Sequence, residues 1–397
     1  NIAMQVAKPA GLPPRVIADA VAAELRTRDG IASVDVAGPG FINISLAAGA
    51  AGELARGIVS AGAGYGLSSG CVGESINIEF ISANPTGPIH LGHTRWAAVG
   101  DAIGRVLEAA GARVTREFYI NDRGAQMDKF GTSVMAAALG QPIPEDGYHG
   151  GYIADLAAEI VANDPSILEL ADDERLIAFR EAAYTLQLQQ QRVALDGFNT
   201  HFDVWYSERS LHDSGAVERG FKQLREHGHV FEAEGAVWLR TTDFDDDKDR
   251  VIRKSTGAYT YFGSDIGYVE EKFSRGFDHL IYVWGADHHG TVARVRNAGE
   301  AMGYDKEKME MLLVAWVRFL RDGVETSMSK RAGTFITLDE LLAEIGVDSA
   351  RWYFASRSAS TAIDFDIEAA KAQESENPVY YAQYAHARMQ SILRRAA

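Results

Sequence analysis

The chain has 397 residues, 46% hydrophobic and 24% charged, proportions of a globular protein with room for two or three domains. Its formal net charge of −16 excludes a nucleic-acid binder driven by overall positive charge and leaves that role only to a local basic face. The single cysteine, Cys71, excludes an intramolecular disulfide and fits a reducing, cytoplasmic setting. Apolar runs such as 311–317 are too short to cross a bilayer, so no membrane association is expected.

Residues 14–28 repeat apolar side chains at helical spacing, and ASVDVAGPGFINISL alternates around a Gly-Pro-Gly turn, predicting a helix followed by a hairpin. A small α+β domain is expected over 1–72, ending in the linker-like SAGAGYGLSSG. Beyond it, ESINIEFIS predicts a strand. RWAAVGDAIGRVLEAAG predicts a helix with Trp96, Val99, Ile103, Val106 and Leu107 on one stripe and Gly111 at its end, and RVTREFYIND predicts a second strand. This βαβ unit implies a parallel sheet and an α/β domain over 73–330. The stretch from about 139 to 250 reads as a helical insertion with a mixed tail. DHLIYVWGADHHG then returns to strand and loop before another helix, giving a second half to the sheet. From residue 338 onward the chain is expected to be mostly helical, a connecting region over 331–372 followed within 373–397 by YAQYAHARMQSILRRAA, a helix with no visible partner.

Two stretches carry chemistry. NPTGPIHLGHTR sets His90 and His93 three apart where the first strand hands over to a helix. In parallel sheets ligands collect there, because free N–H groups and the helix dipole favour anions. The two imidazoles suit contact with a phosphate, and Gly92 between them suits close approach of a planar ring. A pair of helix-capping histidines, or two of the ligands of a zinc ion, would use the same spacing. Far downstream, SMSKRAGTFITLDELL (327–342) sets small residues beside a Lys-Arg pair. That pattern fits either a mobile clamp for polyphosphate or a solvated surface. The acidic run DFDDDKD (243–249) reads as a surface loop rather than a metal site.

Taken together, HLGH and MSKR resemble the HIGH and KMSKS signatures of class I aminoacyl-tRNA synthetases. EFISANPTGPIHLGHTR, YINDRGAQMDKFG, YFGSDIGY, IYVWGADHHG and MSKRAGTF, in that order, resemble the arginyl-tRNA synthetase family. The resemblance implies a Rossmann-like catalytic domain, an N-terminal tRNA-binding domain and, from SENPVYYAQYAHAR, the start of a helical anticodon-binding domain. It implies ATP-dependent joining of L-arginine to its tRNA through an arginyl-adenylate, by a monomer whose Mg²⁺ arrives on ATP rather than in a tight protein site. His90, His93 and Lys330 would stabilise the reacting phosphates. Gly92, Gly285, Asp287, Met328 and Ser329 would join Lys330 in holding ATP. Glu79, Ser82, Asn84, Asn121, Gln126, Tyr261 and Asp265 would line the arginine site with His93, with Asp265 on the guanidinium. Ser327 stands where the signature's first lysine would be, and Arg331 and Arg95 are candidates to replace it. The rival readings are a tRNA-independent aminoacyl ligase on the same fold and, from Asp287-His288-His289, a metal-dependent phosphoesterase.

Overall fold

The Gly-Pro-Gly signal forms the hairpin it predicts. In the computed structural model, which describes residues 2–321, 323–325 and 336–396, β1 (Ile31–Ala37) pairs antiparallel with β2 (Phe41–Leu46), Ala37 facing Phe41. Gly38 and Gly40 close the turn at φ 51° and 141°, a region that suits glycine. Helices α1 (Ile2–Ala10) and α2 (Pro14–Leu25) precede the hairpin and α3 (Ala50–Ala61) follows it. Ala3, Ala18, Ala22 and Val34 are the buried side chains of this compact unit, Asn1–Leu67.

The second unit, Ser68–Ala397, is built on a five-stranded parallel sheet. Its first βαβ is β3 (Ser75–Phe80), α4 (Leu91–Ala109) and β4 (Arg113–Ile120). Gly111, at φ 98°, turns the chain after α4. Gly100 lets α4 lie on β3, because a Cβ there would stand 2.3 Å from the Phe80 ring. The predicted stripe on α4 is correct except at Val106, which is 68% exposed. The sheet continues with β5 (Val204–Ser207) beyond β4, and with β9 (His279–Gly285) and β10 (Met309–Val314) on the other side of β3. The order β10-β9-β3-β4-β5 reverses direction at β3, so the crevice at the carboxyl ends of β3 and β9 is the natural ligand site.

The stretch 139–250 is not wholly an insertion. Helices α5 (Ala125–Ala138), α6 (Gly151–Asn163) and α7 (Asp172–Gly197) share a core of Phe130, Val134, Leu156, Ile160 and Phe179. The chain then returns to the sheet as β5, whose four residues are too few to show a period. What docks β5 is aromatic packing, Trp205 stacking on Phe118 with centroids 4.4 Å apart. Helices α8 (Glu208–Asp213) and α9 (Ala216–Glu226) and a small antiparallel sheet of β6 (Val230–Ala233), β7 (Ala236–Leu239) and β8 (Arg250–Arg253) lead into α10 (Tyr261–Ser274). Helix α11 (His289–Ala301) links β9 to β10. The remaining elements are β11 (Val317–Arg321), β12 (Val324–Glu325), α12 (Leu338–Ile345), α13 (Val347–Ala355), β13 (Ile363–Asp366), α14 (Ile367–Lys371) and α15 (Pro378–Ala396). Among the described residues no helix is long and apolar enough to cross a membrane.

Candidate active site

Strand β3 ends in strain. The N–H of Ser82 donates to the carbonyl of Phe80 at 2.9 Å, forming a γ-turn around Ile81, and both Ile81 (φ 69°) and Ser82 (φ 46°) have left-handed backbones. A β-branched residue held there costs on the order of 1–3 kcal/mol, and such strain gathers at functional sites. Here it turns the Ser82 side chain between two elements. Ser82 Oγ donates to Glu79 Oε1 at 3.0 Å and accepts from the Tyr119 N–H at 3.1 Å.

Beside this turn lies a cavity of about 340 Å³, at the crevice the topology singles out. Glu79, Ser82, Asn121, Tyr261, Asp265 and Gly285 all line it, so six of the sequence-derived residues, drawn from four separate segments, converge. Tyr261 stands at the mouth, 88% exposed. Asp265, one turn further along α10, accepts no hydrogen bond from another described residue. Burial, then repulsion from Glu79 and Glu208, pushes its carboxyl up to about 7, with Arg294 acting the other way. A carboxylate so placed suits a cationic ligand.

Several cavity residues were not among those expected to line the arginine site. Trp96, Trp284, Tyr119, Tyr268, Tyr282 and His288 make its aromatic walls. Beneath them the fully buried Lys272 donates to Glu79 Oε2 at 2.6 Å, with its Nζ 4.0 and 4.4 Å from the ring centroids of Tyr282 and Tyr268. Alongside, Glu117 accepts from Asn77 (2.9 Å), Arg275 (2.7 Å) and the Tyr268 hydroxyl. Burial opposes its ionisation, but Lys272 and Arg275 prevail and its carboxyl is held below the usual range. The only signal for this layer was the alternation of charged residues within buried strands.

His90 and His93 adopt the capping geometry. The Gly92 N–H donates to His90 Nδ1 at 3.0 Å, the His90 N–H approaches His93 Nδ1 at 3.4 Å, and the two rings stack 4.0 Å apart. The space at Gly92 belongs to His90, since a Cβ would stand 2.8 Å from its Cε1. His93 is connected to the cavity through Trp96, whose ring centroid is 5.7 Å away. Gly285 leaves room for the Trp96 ring and the Asp287 carboxylate, and Asp287 itself is exposed.

Three expectations are corrected. Arg95 is no substitute cation, because its buried guanidinium donates to the carbonyls of Ala315 (2.8 Å) and Ser358 (3.0 Å). Asn84 is exposed and does not line the cavity; its carbonyl, with that of Gly87, accepts from Gln191 on α7. Gln126 donates to the Asn121 carbonyl and lines a second, adjoining space of about 730 Å³ with Arg123, Glu208 and Lys254. Met328, Ser329, Lys330, Ser327 and Arg331 lie outside the described residues. The segment just after them is nonetheless joined to the histidine motif. The Leu91 N–H donates to the Ile336 carbonyl (3.2 Å) and the Leu338 N–H to that of Ile89 (2.9 Å). The acidic run turns Asp243 to His229, and Asp246 and Asp247 to Arg250. Among the described residues no three His, Cys, Asp or Glu side chains are grouped to hold a metal ion.

A parallel sheet with its ligand crevice at the β3–β9 reversal and a His-x-x-His helix entry beside it defines a class I aminoacyl-tRNA synthetase catalytic domain. Residues 71–192 and 171–391 match the family of tRNA synthetases class I (R), catalytic domain, and residues 1–46 match the arginyl tRNA synthetase N terminal domain. The chain belongs to the arginyl-tRNA synthetase family. It is 49% identical to an arginine–tRNA ligase of Frankia alni over 396 residues, covering all of this chain and 72% of that one. The structure of a provisionally assigned arginyl-tRNA synthetase of Campylobacter jejuni superposes with TM-score 0.80 at 35% identity, covering 87% of this chain and 76% of the other. The arginyl-tRNA synthetase of Thermus thermophilus shares the fold, with TM-score 0.74 at 23% identity over 99% of this chain and 76% of its own. The activity is attachment of arginine to tRNA at the expense of ATP.

Proposed function

We propose that the 340 Å³ cavity is the arginine site, with the guanidinium on Asp265 and the carboxylate facing His90 and His93. The observation that carries this reading is Asp265 itself, a carboxylate in an aromatic cavity that accepts no hydrogen bond from another described residue. A planar cation satisfies it through charge-assisted hydrogen bonds. An oxygen of the arginine carboxylate then attacks the α-phosphate of ATP, pyrophosphate leaves, and the arginyl group passes to the 2′-hydroxyl of the terminal adenosine. No covalent enzyme intermediate is required. His90 and His93 donate to the α-phosphate as charge develops, while Ser329 and Lys330 hold the departing pyrophosphate beside Met328. Gly285 and Asp287 border the nucleoside, Asn121 and Tyr261 the substrate entrance. Mg²⁺ comes on the ATP phosphates, its ordinary mode of delivery. Residues 1–72 serve tRNA binding, 331–372 connect, and 373–397 open the anticodon-binding region, in a cytoplasmic monomer.

Asp265→Asn tests the assignment. Loss of one partner of a desolvated charge pair costs about 2–5 kcal/mol, so arginine affinity should fall at least ~30-fold while ATP affinity stays within about threefold. Equal loss of both ligands would instead assign Asp265 to folding.

A further inference from the structure

Tyr261, Asp265, Tyr268 and Lys272 lie at positions i, i+4, i+7 and i+11 of α10, one face running from the cavity mouth to its floor. A lysine with no solvent access is costly to bury, and an apolar side chain in its place is often as stable as a buried ion pair. Lys272 therefore calls for a reason beyond stability. Its partner supplies one. Among the described residues Glu79 and Asp265 are the two carboxylates lining the cavity, and they repel one another. Glu79 has both oxygens engaged, Oε2 by Lys272 and Oε1 by Ser82, whereas no other described residue hydrogen-bonds to either oxygen of Asp265.

We propose that Lys272 is a positioning residue for arginine: by pairing with Glu79 from beneath, it offsets part of that carboxylate's charge, leaves Asp265 as the carboxylate with no hydrogen-bond partner among the described residues of the cavity, and so sets where the guanidinium docks. The inference rests on the arginine-site reading above. Other charged groups face the pair. Glu117 on β4 and Glu271 and Arg275 on α10 act around Lys272, while Glu208 on α8 and Arg294 on α11 act on Asp265. The nearby phenols of Tyr119, Tyr268 and Tyr282 are pushed well above their usual value by burial, so they do not titrate in the range tested.

The test is calorimetric binding of arginine to the full chain from pH 5.5 to 8.5, with ATP titrated in parallel. In the parent protein, affinity rises with pH to a midpoint near 7, because the ionised Asp265 is the binding form. Lys272→Met exposes Asp265 to the full charge of Glu79, so the midpoint should rise by about one unit. Arginine then binds roughly fivefold more weakly at pH 7 and about tenfold more weakly at pH 5.5, the deficit shrinking toward pH 8.5 and ATP staying within about threefold. Glu79→Gln should move the midpoint down. The double variant, lacking both charges, should return it to the parent value. A purely structural lysine would lower the affinity for both ligands with no shift in midpoint, and that result overturns the proposal. If Lys272→Met does not fold, Glu79→Gln and the double variant decide it: a downward shift that the second change reverses supports the proposal, and an unmoved midpoint overturns it. A parent affinity that ignores pH and survives Asp265→Asn overturns the arginine site and this inference with it. A parent midpoint that the variants leave in place overturns this inference alone.

Discussion

Asp265 owes its character to the company it keeps. In water its carboxyl would be ionised at any neutral pH. Walled by aromatic rings and facing Glu79, it holds its proton up to about 7. The unfolded chain releases that proton near the ordinary aspartate value, so the free protein loses stability as pH rises between the two values. In the proposed arginine site the ligand reverses this, because a guanidinium on Asp265 binds the ionised form. Saturating arginine should therefore raise the melting temperature more at pH 8 than at pH 6, and Asp265→Asn should remove the difference. A scanning-fluorimetry series at the two pH values checks it; equal shifts in the parent would count against Asp265 as the anchor. The strained Ile81–Ser82 turn belongs to the same scale. It places one hydroxyl where it satisfies both a carboxylate oxygen and a backbone N–H, which an extended strand end would not do.

At the scale of the element, the start of α4 carries two tasks on one side chain. His90 caps the helix through its Nδ1 and, by the proposed mechanism, also meets the α-phosphate. The tasks are separable because asparagine is among the best N-caps and alanine among the poor ones. His90→Asn should stay within about 0.5 kcal/mol of parent stability, whereas His90→Ala should lose roughly 0.5–2 kcal/mol. Both should reduce the adenylation rate about 10²–10³-fold if a donor to the developing phosphate charge is gone. Denaturant unfolding paired with single-turnover adenylation gives both quantities. An asparagine variant with parent rates would leave His90 as a cap alone. Helix α10 shows a related economy, carrying cavity residues on one face while Gly267 on another brings its backbone against Val217 of α9, where a Cβ would meet the Val217 Cα at 2.7 Å.

For the whole molecule, every described residue that lines the cavity belongs to the unit Ser68–Ala397, and the unit Asn1–Leu67 contributes none. Deleting residues 1–67 should leave arginine affinity within about threefold of the parent. If that unit serves tRNA, as proposed, the same deletion should raise the KM for tRNA in aminoacylation and weaken its salt dependence, since fewer phosphate contacts remain. Unchanged tRNA kinetics would remove tRNA binding from its roles.

The sequence by itself determined the hairpin, the βαβ unit and the parallel class of the sheet. Each is a local pattern, written in the period of a helix or strand or in a few fixed spacings. It did not determine β5, four residues long, whose place in the sheet depends on packing against β4. Nor did it show that Arg95 is consumed by two carbonyls more than 200 residues away, or that Asn84 is exposed while Gln191 holds its loop. Lys272 is the clearest case. In YVEEKFS it reads as one more charge on an exposed helix, and the carboxylate that pairs with it lies 193 residues earlier in the chain. Burial, pairing and the charge left uncompensated depend on which elements the fold brings side by side, and that only the tertiary structure decides.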